Sequence, residues 1–166
     1  MKPAVAALFL KEMKEAGIDL VVGLPDSGLY QLITLVREDK DLQYIAVTNE
    51  GEGAGICGGA WMGGRKPILL MENSGLRVAS ETLARLGISF GIPVLMLMSY
   101  RGEMGDGNWW AVNHGVVMEP LLKALRIPYT IVRKPEEIGG SIRKARKNVQ
   151  GAKYHYALVA SGDALW

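Results

Sequence analysis

The stretch Val47-Thr48-Asn49-Glu50-Gly51-Glu52-Gly53-Ala54-Gly55-Ile56-Cys57-Gly58-Gly59-Ala60-Trp61-Met62-Gly63-Gly64-Arg65-Lys66-Pro67 reads as the end of a strand, an Asn cap, an acidic first helical turn, a helix of small residues and re-entry into the next strand. Asn49 is placed to accept a hydrogen bond from an orphan amide at the helix start, and Glu50 and Glu52 sit where the positive end of the helix favours carboxylates. The five glycines between Gly51 and Ala60 need another reason, because each costs a helix roughly 1 kcal/mol relative to alanine. A helix that tolerates them is expected to press against another backbone, a subunit or a cofactor.

Outward from this helix the chain alternates helix and strand. The pattern predicts helices over Pro3 to Ala16 and Leu29 to Glu38, a helix through Leu76, Val78, Leu83 and Leu86, and further helices over Met118 to Leu125 and Pro135 to Val149. Strands are predicted at Leu20 to Gly23, Gln43 to Val47, Ile68 to Met71, Pro93 to Tyr100 (the longest), Tyr129 to Val132 and Tyr154 to Ala160. Six apolar strands separated by helices predict an α/β fold: one doubly wound domain over 1–166, with a mostly parallel sheet covered on both faces. The loop from Arg101 to Asn113, with Gly105-Asp106-Gly107-Asn108 inside it, reads as mobile.

Composition narrows the function classes. The chain has 166 residues, 49% of them hydrophobic, enough for one well-buried domain. A net charge of +2 from scattered Lys and Arg argues against a nucleic-acid partner, and the basic run Arg143 to Lys147 reads as a solvated helix face. The one cysteine, Cys57, excludes an internal disulfide framework and fits a reducing cytoplasm. No apolar run is long enough for a membrane span.

In parallel sheets ligands gather beyond the carboxyl ends of the strands. Four polar clusters fall there: Asp26 and Ser27, placed to cap the second helix; Asn49 and Glu50; Asn73 and Ser74; and Arg101, Glu103 and His114. Any one of them could simply cap a helix, whereas four on one edge point to a site. Three rival chemistries score poorly. Gly53-Ala54-Gly55-Ile56-Cys57-Gly58 matches the dinucleotide fingerprint, but a capped acidic turn separates it from its strand and would repel a phosphate. His114, His155 and Cys57 show no metal spacing, and His155 in a strand reads as structural. No nucleophile elbow is present, and Cys57 inside a helix reads as an inert core thiol.

Several segments, in order and spacing, carry a resemblance. Gly23-Leu24-Pro25-Asp26-Ser27, Thr48 to Gly53, Ala60 to Pro67, Leu70 to Leu76, Gly91 to Met96 and Ser99-Tyr100-Arg101-Gly102-Glu103 resemble the pyrimidine-binding domain of thiamine diphosphate-dependent decarboxylases. The alpha subunit of sulfopyruvate decarboxylase and the N-terminal half of phosphonopyruvate decarboxylase are the nearest in pattern. The resemblance implies that Glu50 hydrogen-bonds the aminopyrimidine ring nitrogen of the cofactor and so activates it, with Pro25, Asp26 and Asn73 as further cofactor contacts. Spacing to Lys66-Pro67 favours Glu50 over Glu52, which stays the runner-up. Ser27, Ser74, Arg77, Arg101 and His114 are candidates to meet an anionic 2-oxo acid, arginine being suited to forked contact with oxyanions.

The resemblance also implies a second subunit. In this family a separate domain with a Gly-Asp-Gly segment and a downstream Asn-Asn pair holds the diphosphate and Mg2+. Gly105-Asp106-Gly107-Asn108 has no such pair after it, so a beta-type partner is expected to carry that end in a hetero-oligomer. The family's Gly-Asn after Leu76 is replaced here by Arg77-Val78, and Trp109-Trp110, expected to pack at a subunit interface, leave room for a bulkier acid. Sulfopyruvate is the first expectation for substrate, with phosphonopyruvate or a bulkier 2-oxo acid as the alternative. A non-catalytic nucleotide-binding module is the rival from another class.

Overall fold

The structure is a computed structural model describing residues 1–166. Helices α1 (Pro3–Glu15), α2 (Tyr30–Glu38), α3 (Glu50–Met62), α4 (Gly75–Leu83), α5 (Val112–Ala124) and α6 (Ile138–Ala152) alternate with strands β1 (Leu20–Gly23), β2 (Gln43–Ala46), β3 (Pro67–Glu72), β4 (Leu95–Ser99), β5 (Tyr129–Val132) and β6 (Tyr156–Ala160). All strand pairs are parallel, in the order β2-β1-β3-β4-β6-β5. The doubly wound α/β fold expected from the alternation is present.

Strand periodicity divides the core in two. Val21, Ile68, Leu70, Leu95, Leu97 and Leu158 point to one face, where α1, α2 and α6 cover them. Val22, Leu69, Met71, Met96, Met98 and Val159 point to the other, under α3, α4 and α5. The central strands β1, β3, β4 and β6 are almost wholly buried, and so carry near-continuous apolar runs rather than alternating ones. After β1 the chain turns to α2 on one face, and after β3 it turns to α4 on the other. The strand order reverses between these two neighbours, opening a crevice at their carboxyl ends.

Several boundaries differ from the sequence reading. The longest strand is β3, and β4 is shorter than expected. The largest difference is α5, which begins at Val112 rather than near Met118, after a 3-10 turn at Trp109–Ala111. Val112-Asn113-His114-Gly115 has poor intrinsic helix propensity. Tertiary contact overrides it: the Gly102 and Gly115 backbones touch so closely that a Cβ on either would overlap the other's segment, and Gly102 has φ +74°. His114 therefore stands in the first turn of a helix. The loop before it is built around Asp106, whose carboxylate accepts from Arg101 Nε (2.9 Å), the Gly102 amide (2.9 Å), and the Asn108 amide and side chain. Arg101 and these amides hold the Asp106 carboxyl well below the usual carboxylate range. An ordered hub thus replaces the mobile loop that its glycines suggested.

The end of α4 loosens into a π-helical segment, Ala84–Ser89. Buried His155 at the start of β6 accounts for it: Nε2 donates to the Leu83 carbonyl (2.8 Å), while Nδ1 accepts from the Val94 amide (2.9 Å). Gly87 lies against the imidazole, with no room for a Cβ. Burial pushes the His155 imidazole below its ordinary value, only partly countered by the Leu83 carbonyl. The ring is neutral in the fold, whereas the unfolded chain takes up a proton near pH 6.5. Its contribution to stability is therefore complete above that pH and is lost as pH falls below it. His155→Gln is expected to lower stability at pH 7.5 by about 1–3 kcal/mol and to show a shallower fall in thermal midpoint between pH 7 and 5.5. Equal slopes for the two proteins would remove His155 from this account.

Candidate functional site

The acidic turn of α3 opens onto the β1/β3 crevice. Asn49 has extended backbone (φ −155°, ψ 164°) and its Oδ1 accepts from the Glu52 amide at 2.9 Å, the cap expected from sequence. Glu52 answers it: its Oε2 accepts from the Thr48 amide (2.7 Å) and the Thr48 hydroxyl (2.8 Å). Those bonds lower the pKa of the Glu52 carboxyl. Glu52 is thus consumed by the helix terminus, as in a capping box. Glu50 has no such partner. Its carboxylate, half-buried, lies over Gly75 at the start of α4, where an added Cβ would stand 2.5 Å from both Glu50 Cδ and Oε1. Gly75 is required by this approach rather than by its own backbone conformation.

Beside Glu50 a cleft of about 200 Å3 is lined by Leu24, Pro25, Asp26, Ser27, Glu72 and Ser74. A second opening shares Glu50 and Ser74 and adds Gly75, Arg77 and Val78. The fold thus brings Pro25, Asp26, Ser27, Glu50, Ser74 and Arg77 together, and His114 joins them through a 2.8 Å contact between its Nδ1 and Arg77 Nη2.

Asp26 does not cap α2, which starts without a side-chain cap; it accepts instead from the Gly28 amide (3.0 Å) inside the turn. Asp26 is 8% exposed, and its Oδ2 is buried with no hydrogen-bond partner, as is the nearby Ser99 Oγ. Burial pushes the Asp26 carboxyl up; the Ser99 hydroxyl, close by though outside hydrogen-bond geometry, and the Gly28 amide counter this in part, and Glu72 adds to the rise.

Two candidates stand apart from the cleft. Asn73 is 2% exposed, and both ends of its amide are engaged by the backbone of Arg101: Nδ2 donates to the Arg101 carbonyl (2.8 Å) and Oδ1 accepts from its amide (3.1 Å). Asn73 therefore staples the ends of β3 and β4 together. The Arg101 side chain faces a separate cavity of about 500 Å3, walled by the 103–108 loop and Trp166. There its Nε is held by Asp106 and its guanidinium lies 5.5 Å from the Trp166 ring centroid. That cavity contains neither Glu50 nor Asp26. Trp109 and Trp110 pack edge to face, 6.0 Å apart, and remain 82% and 54% exposed. Burial lifts the Cys57 thiol to about 12, as befits an inert core residue. Sequence reasoning missed Glu72 and Gly75. Glu72 had a signal, being the one charged residue at the carboxyl end of an apolar strand, whereas Gly75 had none until α3 and α4 were packed together.

A scan against protein-family models matches none of them. Among curated proteins the chain is 34% identical to sulfopyruvate decarboxylase subunit alpha of Methanococcus maripaludis, over 94% of this chain and 92% of that one. The chain belongs to the sulfopyruvate decarboxylase alpha-subunit family. The same-named subunit of Methanocaldococcus jannaschii is 34% identical over 93% of this chain and 90% of its own. A phosphonopyruvate decarboxylase of Streptomyces viridochromogenes is 37% identical over 54% of this chain and 23% of its own length. Members of the family are named decarboxylases, and "alpha" implies a second kind of subunit. No helix of the chain is long and apolar enough to cross a membrane.

The Asp26 carboxyl has a measurable signature. Because its folded pKa is raised, stability falls as pH rises through the carboxyl range, leaving a destabilising buried charge at neutral pH. Asp26→Asn keeps an oxygen for the Gly28 amide and removes that charge. It is expected to melt higher than wild type at pH 7 and to converge with it near pH 3.5; a lower midpoint at pH 7 contradicts the assignment.

Proposed function

We propose that this chain is the pyrimidine-binding alpha subunit, a single domain over 1–166, of a thiamine diphosphate-dependent decarboxylase that converts sulfopyruvate to sulfoacetaldehyde and CO2. The observation that carries the reading is the unpartnered Glu50 carboxylate, held over Gly75 in the β1/β3 crevice, with Asp26 lining the cleft beside it. A carboxyl group that accepts when ionised and donates when protonated suits an aminopyrimidine, whose exocyclic amine donates and whose ring nitrogen accepts until it is protonated. Glu50 would hold the ring nitrogen and share its proton through the carboxylate, with Asp26 lining the cleft beside it. Pro25 closes one wall. Asn73 acts behind the cleft, by holding the strand ends in register.

When bound, thiamine diphosphate supplies an electron sink for the bond to the departing carboxylate, chemistry that no side chain here provides. The residues of this chain orient the cofactor's pyrimidine and govern one proton at Glu50. The partner subunit is assigned the diphosphate and Mg2+, in keeping with the absence from this chain of any group of three or more acidic, His or Cys side chains placed to hold a metal ion. Nucleotide binding at the glycine-rich helix is disfavoured by Glu50 and Glu52, which place negative charge where a phosphate would lie. Phosphonopyruvate stays the alternative substrate, on the strength of the Streptomyces relative.

Reconstitution with the beta-type subunit tests the proposal. Glu50→Gln is expected to lower kcat by roughly 10²–10⁴-fold with assembly and circular dichroism unchanged; a near-normal rate would falsify the role. Gly75→Ala separates position from stability. Alanine is worth up to about 1 kcal/mol more than glycine in a helix, so the thermal midpoint is expected to hold or rise. Turnover is expected to drop because the new methyl displaces Glu50. Full activity in that variant would mean that the carboxylate position is unimportant.

A further inference from the structure

Three carboxylates, from Asp26, Glu50 and Glu72, line the cleft and repel an anion over most of its surface. One cation interrupts them. Arg77 is the only basic residue in the Glu50 opening, which it shares with Ser74, Gly75 and Val78. Other arginines on this side are spent elsewhere: Arg101 on Asp106 in the separate cavity, Arg85 on Glu81 one helical turn away in solvent.

Exposed arginines usually sample many rotamers, and Arg77 is held. A guanidinium has donors only, so the 2.8 Å contact makes Arg77 Nη2 the donor and His114 Nδ1 the acceptor. The ring proton of a neutral His114 then belongs on Nε2, which faces Glu72 Oε1 at 3.9 Å. His114 and Glu72 are 18% and 27% exposed in their side chains, against 72% for Arg85. Three elements meet in this chain of groups: β3 through Glu72, α5 through His114 and α4 through Arg77. Only Nη2 of Arg77 is engaged, which leaves its other donors free to form a fork with an oxyanion.

We infer that Arg77 is the specificity-determining residue for the second anionic group of the substrate, and that His114 is the positioning residue that aims it. The inference rests on the 2-oxo acid decarboxylase reading. It keeps the substrates already proposed and adds which residue would meet their sulfonate or phosphonate tail, at a position where the resemblance has glycine. In an otherwise acidic cleft a single oriented cation sets where the tail lies, and therefore which end of the acid is presented to the reacting group.

The reconstituted complex is assayed with sulfopyruvate, phosphonopyruvate and pyruvate, and with 3-sulfopropanoate and propanoate as inhibitors. Arg77→Met is expected to lower kcat/KM for the preferred dianionic acid by roughly 10- to 100-fold, the value of one charged hydrogen-bonded contact. The loss is expected mainly in KM, with the preference over pyruvate reduced and inhibition by 3-sulfopropanoate weakened more than inhibition by propanoate. The preference between sulfopyruvate and phosphonopyruvate identifies the tail. His114→Ala is expected to lose part of the discrimination, and His114→Asn, whose Oδ1 takes the place of Nδ1, to restore it. If the wild-type complex turns over a dianionic acid and Arg77→Met keeps the preference, this inference alone fails. If the wild-type complex decarboxylates none of the three, the underlying reading fails and takes the inference with it.

Discussion

Two carboxylates stand in the first turn of α3, and the helix terminus consumes only one of them. The exchange between Asn49, Glu52 and Thr48 satisfies the orphan amides, fixes where the helix begins, and leaves Glu50 one position inside it with nothing of its own chain to bind. Every later feature of the site depends on that division. A helix that began one residue later would rotate Glu50 by about 100° around the axis, away from β1 and β3.

The surroundings hold Glu50 there by absence of bulk. Gly75 admits the carboxylate, while Gly53 and Gly58 of α3 lie against Leu69 and Leu86. The other glycines of the helix have a different status. Gly55 and Gly59 are exposed, and a Cβ on either would meet nothing within 4 Å. Close packing thus accounts for one side of α3 only. Rigidity at the strand ends comes from Asn73, whose amide ties β3 to the residue after β4. The cleft is held on a rigid sheet edge, while its cost in stability is concentrated in Asp26, the buried acid with an unmet oxygen.

Local rules made much of this legible. Alternation of apolar strands with capped helices was enough for the fold class. Asn49 followed by two glutamates was enough for the start of α3. The polar ends of β1 and β3 were enough for the edge on which the cleft lies. Failures occurred where a long-range contact overrode a local one. Glycine, asparagine and β-branched residues in the first turn of α5 hid a helix that the Gly102–Gly115 contact makes possible. Glycines around Asp106 suggested mobility because a carboxylate's four donors are invisible to a linear reading. Asn73 and Arg101 looked like ligands because both are polar and follow strands, yet they bind each other's segment.

By itself the sequence determined the alternation of elements, the helix start at Asn49 and the family, because those depend on period, capping chemistry and ordered motifs along the chain. Only the tertiary structure decided which carboxylate is free, that His114 bonds Arg77 with Glu72 nearby, and that Arg101 faces another cavity. Those outcomes depend on distances between segments far apart in sequence. Such distances are set when α3, α4 and α5 pack on one face of the sheet, a step that leaves no trace in local residue pattern.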